Sequence, residues 1–371
     1  MKSVICMGLV PLLSSVLLIP ALYRSGEIPS LEPLLGQIAV SAPEKQGIPS
    51  EAVGLPADES DDAYGEGVGE MGDTEENVDT EEVVDTEAPP SVETTPQVPP
   101  SASGYDASQT ITLARADGSY TLSLRDYLIG IVMAEMPSYF HPEALRAQAV
   151  AARSYVLYRI RGGFGLTDLG STCTAYMDRT EAEAFFGDAL HQVEEIVAAA
   201  VDDTDGQVLL WENKVICAVF HAMSYGKTEN AVDVWGGDYP YLRAADTPEA
   251  LSISGICTEA SFDEGALCAA LSVSAALPFA FTKTDGGRLA EVICADGTRI
   301  HGEDFRSRLR MRSTDIEILR QSETDVTFRV YGYGHGIGLS QYGADLFADS
   351  GMNYTEILAH YYAGSVLAVL S

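Results

Sequence analysis

The sequence predicts an α+β fold, a single domain in which a helical hairpin packs on antiparallel sheet, preceded by a membrane anchor and a disordered linker. Three observations lead there. The stretch from Ser123 to Arg161 reads as two helices joined by a tight connection. Segments on both sides of it alternate apolar and polar residues around turn residues. The first part of the chain lacks the apolar periodicity that a core requires. The divisions are an anchor over 1–24, a linker over 25–104 and a folded domain over 105–371.

An uncharged apolar run from Val4 to Tyr23 lies between Lys2 and Arg24. At about 20 residues it has the length of a bilayer span. Its exit, Ile19-Pro20-Ala21-Leu22-Tyr23-Arg24, has no clear small-residue cleavage site. Length and exit both favour an uncleaved anchor over a cleaved signal. Lys2 and the amino terminus favour a cytoplasmic start, with Arg24 weakening the asymmetry. In either case the bulk of the chain is expected outside the cytoplasm.

The linker contains DESDDAYGEGVGEMGDTEENVDTEEVVDTE, then the proline-rich APPSVETTPQVPPSAS. Such segments cannot bury enough apolar surface to offset the entropy of ordering them. The segment reads as a tether with a root-mean-square reach of ~50 Å, or as a solubilising spacer. The whole chain of 371 residues carries a formal charge of −33. That balance excludes nucleic acid or an anionic membrane surface as the main partner. Roughly half of it lies in the acidic tract, leaving the folded part moderately acidic.

Of six cysteines, Cys6 lies in the anchor. The remaining five, Cys173, Cys217, Cys257, Cys268 and Cys294, cannot all pair within one chain. Cys257 and Cys268 flank a short loop and could pair, given a suitable Cα separation. Buried free thiols are the equal alternative.

The domain opens with ITLARADGSYTLSLRDYL, a β-hairpin signal around Asp117-Gly118. Ser123 is placed to cap a first helix whose Leu124, Leu128, Ile131 and Val132 share one face. Glu135 falls on the same side at the helix end, and Pro137 stops the helix. Pro142 suits the first turn of a second, alanine-rich helix that carries Arg153 and ends at Gly162-Gly163. By residue type alone, Glu135 would be an exposed carboxylate at a helix end.

Further on, Gln207–Trp211 and Val215–Ala222 read as two strands around a Glu212-Asn213-Lys214 turn. The following SYGKTEN invites a phosphate-loop reading, which fails because His221 occupies the place of the first glycine. A strand-end loop presenting Tyr225 and Lys227, or a solvated turn, remains. YGYGHGIGLSQYGA, from Tyr331 to Ala344, surrounds His335 with glycines and implies close backbone approach. It lacks the dinucleotide-binding pattern. A helix is expected from about Gln341, and Asn353 caps a final one. Ala245–Asp325 is the least informative region, with a helix expected at Glu264–Leu271.

The segments AEMPSYFHPEALRAQAVAARSY, CTAY, HAMSYGKTENAVDVWGGDYPYL, FRSRLRMRST and GYGHGIGLSQYGA occur in that order. Together they resemble the stage II sporulation protein D family (SpoIID), across essentially all of 105–371. The resemblance implies a membrane-anchored peptidoglycan lytic transglycosylase that remodels the septal wall during engulfment of the forespore. It also implies glycan strands as substrate and an amidase partner that first strips the stem peptides. Glu135 would match the family's catalytic glutamate, and Arg153, Tyr225 and Lys227 its other cleft residues. His335 and Gln341 would shape the cleft or its loops. No cofactor is implied. Zinc-binding members carry His and Cys ligands before the C-x-A-Y element. Here RGGFGLTDLGSTCTAY keeps only Cys173, with Thr172 before it and His191 a poor substitute, so no zinc is expected.

Most glycosidases need two carboxylates, but a lytic transglycosylase takes its nucleophile from the substrate, the C6 hydroxyl of N-acetylmuramic acid. One carboxylic acid then suffices, provided that burial against Ile131, Val132 and Met136 raises its pKa. Arg153 would oppose that shift, so it is expected to orient Glu135 indirectly or to bind substrate. Without zinc, the helical hairpin is expected to be braced by packing alone. Two other readings are a non-catalytic wall-binding amidase enhancer, as some relatives resemble, and a structural wall-anchored protein.

Overall fold

The computed structural model describes residues 104–116, 118–168, 173–249 and 256–371. The expected anchor, and all of the expected linker before Gly104, lie outside them. Among the described residues no helix is long and apolar enough to cross a membrane.

The opening hairpin forms as expected. Strands β1 (Thr110–Arg115) and β2 (Gly118–Ser123) pair antiparallel, with Ile111 opposite Leu122 and Leu113 opposite Tyr120. Ile111 and Leu113 point inward and are buried. β2 runs straight into α2 (Leu124–Glu135), because the Ser123 hydroxyl accepts the Asp126 N–H at 3.0 Å and caps the helix. A four-residue helix, α1 (Tyr105–Ser108), precedes β1. Met136 leaves helical geometry at φ −129° and ψ 140°, as a residue before proline must.

The second arm, α3 (Pro142–Arg161), starts with His141 Nδ1 accepting the Glu143 N–H at 3.2 Å. Its alanines at 144, 147, 149, 151 and 152 are all buried. Small side chains let neighbours approach closely, and α3 becomes the axis of the main core. Against it pack α2, α5 (Leu190–Asp203), α9 (Gln341–Asp349), α10 (Tyr354–Tyr361) and strand β4 (Gln207–Trp211). Asn353 caps α10 through a reciprocal pairing with Glu356.

Around this helical centre lie small sheets. β4 sits between β5 (Lys214–Val215) and β14 (Val366–Val369), antiparallel to both. Glu212 and Asn213, at φ 49° and 60°, form the two-residue turn that this tight hairpin needs. The expected strand Val215–Ala222 is broken, however. Ala218 and Val219 donate to carbonyls only two residues back, at 3.0 and 2.9 Å, which curls the chain out of extension. Only Phe220–His221 (β6) pairs again, in parallel with β13 (Leu339–Ser340). β3 (Leu166–Thr167) also pairs in parallel, with β1. The sheets are therefore mainly, but not wholly, antiparallel, and the helical hairpin packs as much on other helices as on sheet.

Residues 256–331 gather a second hydrophobic cluster, centred on Phe279, Phe305 and Phe328. In it β7 (Cys257–Asp263), β12 (Asp325–Tyr331) and β11 (Asp315–Gln321) form one sheet. β8 (Ala280–Lys283), β9 (Leu289–Ile293) and β10 (Arg299–His301) form another. The helix expected at Glu264–Leu271 is present at those limits. Cys173, Cys217, Cys257, Cys268 and Cys294 are all free thiols, so Cys257 and Cys268 do not pair. β12 delivers the chain directly into the glycine-rich segment, where Gly332, Gly334, Gly336 and Gly338 all have positive φ. At Gly338 a Cβ would come within 2.0 Å of the Val219 carbonyl oxygen, which accounts for glycine there.

Candidate functional site

Glu135 is the last residue of α2 and only 7% exposed. Ile131, Val132 and Met136 around it are buried, as the sequence suggested. Its Oε1 accepts the backbone N–H of Ala175 at 2.8 Å, and its Oε2 lies 3.4 Å from Nε2 of Gln341. Burial raises the pKa of the carboxyl. The Ala175 N–H, the Gln341 amide and Thr174 oppose that rise without cancelling it. The result is a secluded acid with donors ready for its anionic form.

The Ala175 donor reaches Glu135 because α2 has a glycine in the right place. At Gly130 a Cβ would stand 2.4 Å from the Tyr176 ring and 2.7 Å from the Met177 carbonyl oxygen. The Met177 N–H donates to the Gly130 carbonyl at 3.2 Å and pins the CTAY segment along the helix. CTAY was legible as a motif, but its role was not, since the working group is a backbone N–H.

Arg153 is a correction. Its side chain is fully buried, and all five guanidinium hydrogens have acceptors inside the protein. Nε and Nη2 grip Asp106 at 2.6–2.9 Å; Nη1 reaches the Gln207 carbonyl at 3.1 Å and Thr204 Oγ1 at 3.4 Å; Nη2 also reaches the Val201 carbonyl at 3.2 Å. Arg153 therefore faces the core and lines no cleft. The hairpin is not braced by packing alone, since this group ties α3 to α1, to the end of α5 and to β4. Asp106 is held in place by Asp205, whose carboxylate accepts the N–H groups of Gly104, Tyr105 and Asp106 at 2.8–3.0 Å. No motif or spacing singles out Asp106, which lies 47 positions from its partner.

Gln341, the first residue of α9, is brought to Glu135. Tyr225 and Lys227 lie together on the loop after β6. Tyr225 is half-buried with its ring 4.4 Å from that of Tyr331, and the Lys227 side chain is exposed while its backbone bridges to Asp246. His335 is half-buried between the rings of His221 and Trp235, at 5.6 and 5.1 Å. Burial, helped by the charges of Arg306 and Arg288, pushes its imidazole down to about 3. A neutral His335 accepts the Ile337 N–H on Nδ1 at 3.1 Å, a loop-shaping contact. Among the described residues no group of three or more His, Cys, Asp or Glu is arranged to hold a metal ion.

Aromatic residues follow Glu135 and Gln341 closely in the chain. Phe140 and Tyr342 meet edge to face at 4.9 Å, and Tyr139 beside them is 57% exposed. An exposed aromatic face such as that of Tyr139 suits the apolar face of a sugar ring.

Residues 115–211 match the SpoIID family model, stage II sporulation protein. The stage II sporulation protein D of Bacillus amyloliquefaciens is 34% identical over 255 residues, covering 66% of this chain and 73% of that protein. Its counterpart in Bacillus subtilis (strain 168) is 31% identical over 259 residues, covering 67% and 75%. An amidase enhancer of Bacillus subtilis (strain 168) is 26% identical over 296 residues, covering 65% of this chain and 40% of that protein. The family model spans the helical hairpin that carries Glu135, and the chain belongs to the stage II sporulation protein D family.

Proposed function

We propose that the domain is a peptidoglycan lytic transglycosylase that cleaves the bond between N-acetylmuramic acid and N-acetylglucosamine, with Glu135 as its single acid and base. The observation that carries this reading is the setting of Glu135, a nearly buried carboxyl with a raised pKa and two hydrogen-bond donors. Burial keeps the acid protonated for the first half of the reaction, in which it gives its proton to the glycosidic oxygen. The C6 hydroxyl of N-acetylmuramic acid then attacks C1 and loses its proton to the Glu135 carboxylate as the anhydro ring closes. During that interval the Ala175 N–H and the Gln341 amide stabilise the carboxylate. No second carboxylate is needed, because the nucleophile belongs to the substrate.

Tyr225 and Lys227 bind the sugar, and His335 holds the glycine-rich wall. The segment over 1–24 anchors the domain at the sporulation septum on the extracytoplasmic side. An amidase partner supplies glycan strands freed of stem peptides for wall remodelling in engulfment.

The likeness to an amidase enhancer favours a second reading, a wall-binding module that stimulates an amidase without cutting. Incubation with peptide-free glycan strands separates the two. Release of anhydro-ended fragments by the wild type and its loss in Glu135→Gln is the expected result. Equal release by the variant would remove Glu135 from the mechanism, and glycan binding with no product would favour the enhancer.

A further inference from the structure

Glu249 is 0% exposed and belongs to none of the segments that carry the site, yet it reaches two of them directly and its neighbour Thr247 as well. Its Oε1 accepts the Ser224 N–H at 3.2 Å and the Ser340 hydroxyl, and its Oε2 accepts the Thr247 hydroxyl. Each partner adjoins a residue of the proposed site or of its loop. Ser224 precedes Tyr225. Ser340 precedes Gln341, whose amide meets Glu135. Thr247 donates its N–H to the Gly226 carbonyl at 3.1 Å, and its neighbour Asp246 bridges to Lys227.

The connections continue beyond this node. The Ser224 hydroxyl donates to His221 Nε2 at 2.6 Å, since His221 Nδ1 donates to the Ile337 carbonyl at 3.2 Å. Ser224 Oγ also accepts from Arg288 Nη2 at 3.1 Å, and Arg288 Nη1 reaches the Gly334 carbonyl, next to His335, at 3.0 Å. Space for the node is reserved in α9, where a Cβ on Gly343 would meet the Tyr361 hydroxyl at 2.2 Å, Thr247 Oγ1 at 2.4 Å and Glu249 Oε2 at 3.0 Å.

We propose that Glu249 is a positioning residue, setting the Tyr225–Lys227 loop against the Gln341–Glu135 pair without touching the glycan. This rests on the transglycosylase reading above. A side-chain amide can take over the role. Glutamine at this position accepts Ser224 N–H and the Ser340 hydroxyl on its oxygen and donates to Thr247, which turns its own proton to Tyr361, 3.0 Å away. Alanine leaves the buried Ser224 N–H unmet and removes the carboxylate bridge between that loop and the start of α9.

The test compares full-length wild type, Glu249→Gln, Glu249→Ala and Ser340→Ala on peptide-free glycan strands. It reads kcat, KM, pH profile and glycan affinity. Misplacement of about 1 Å costs about 100-fold in rate, so Glu249→Ala is expected to lose about that in kcat, with less change in KM. Its alkaline limb moves to higher pH as Gln341 leaves Glu135, and Glu249→Gln restores both. Wild-type kcat and pH profile in a folded Glu249→Ala would overturn the proposal. If that variant does not fold, Ser340→Ala decides. A loss of about tenfold with the same shift supports the proposal, and none overturns it. If the wild type yields no anhydro product, the transglycosylase reading falls. Glycan affinity then decides on Glu249: a loss in Glu249→Ala restored by Glu249→Gln supports it, and equal affinities overturn it.

Discussion

The side-chain amide of Gln341 stands 3.4 Å from the carboxylate of Glu135, joining the start of α9 to the end of α2 across 206 positions. The contact is long for a hydrogen bond, and its effect on the acid is modest beside that of the Ala175 N–H at 2.8 Å.

Gln341→Ala removes a donor that favours the ionised form, so the Glu135 pKa rises further. Activity that needs the protonated acid falls as pH rises through that pKa. The alkaline limb of the pH–rate profile is therefore expected to move upward by up to about one unit, with a fall in maximal rate of about tenfold. A limb that moves downward would contradict the assigned geometry.

Gly130→Ala tests the packing that brings Ala175 to the acid. The new methyl meets the Tyr176 ring and the Met177 carbonyl, so the CTAY segment must shift. Overpacking of this kind costs about 1–3 kcal/mol, and the lost alignment lowers kcat by about 100-fold. Urea unfolding and single-turnover product release measure the two effects separately.

Arg153→Ala should act through stability. Removing one partner of a fully buried ion pair costs about 3–5 kcal/mol, because the other charge is stranded. Asp106→Asn, which keeps an acceptor, should cost less. Equilibrium unfolding of both single variants and the double variant gives the coupling. An Arg153→Ala protein as stable as the wild type, with only KM altered, would return Arg153 to the cleft.

Asp345 offers a pH test outside the reaction. It accepts the His141 N–H at 2.7 Å, and burial raises its pKa to about 6. The folded state thus holds this proton more tightly than the unfolded chain, whose aspartate titrates near 3.9. The stability contributed is complete below about pH 4 and is lost as pH rises through about 6. Asp345→Asn keeps the acceptor and carries no charge. It should flatten the stability profile between those limits and gain on the order of 2 kcal/mol at neutral pH. Thermal unfolding from pH 4 to 7 measures this.

Local signals were legible where one short segment contains both cause and effect. Ser123, Pro137, Pro142 and Asn353 set helix ends by capping or by ring geometry, and those ends fall where the sequence places them. The turn before Lys214 and the helix at Glu264–Leu271 follow the same logic. The role of Arg153 was hidden because its acceptors come from α1, α5 and β4, and no spacing rule joins them. The Ala175 donor is a backbone group, and Glu249 is a lone carboxylate in an uninformative stretch. The broken strand after Val215 was missed because an apolar run looks alike whether it stays extended or curls.

The fate of the solvent tests the proposed chemistry most directly. Peptide-free glycan strands are cleaved by the wild-type protein in oxygen-isotope-labelled water, and the fragments are weighed. Ring closure by the substrate's own hydroxyl predicts 1,6-anhydro ends that carry no label, formed by the wild type and not by Glu135→Gln. Labelled reducing ends would show that water is the nucleophile, and would contradict a single-carboxylate transglycosylase built on Glu135.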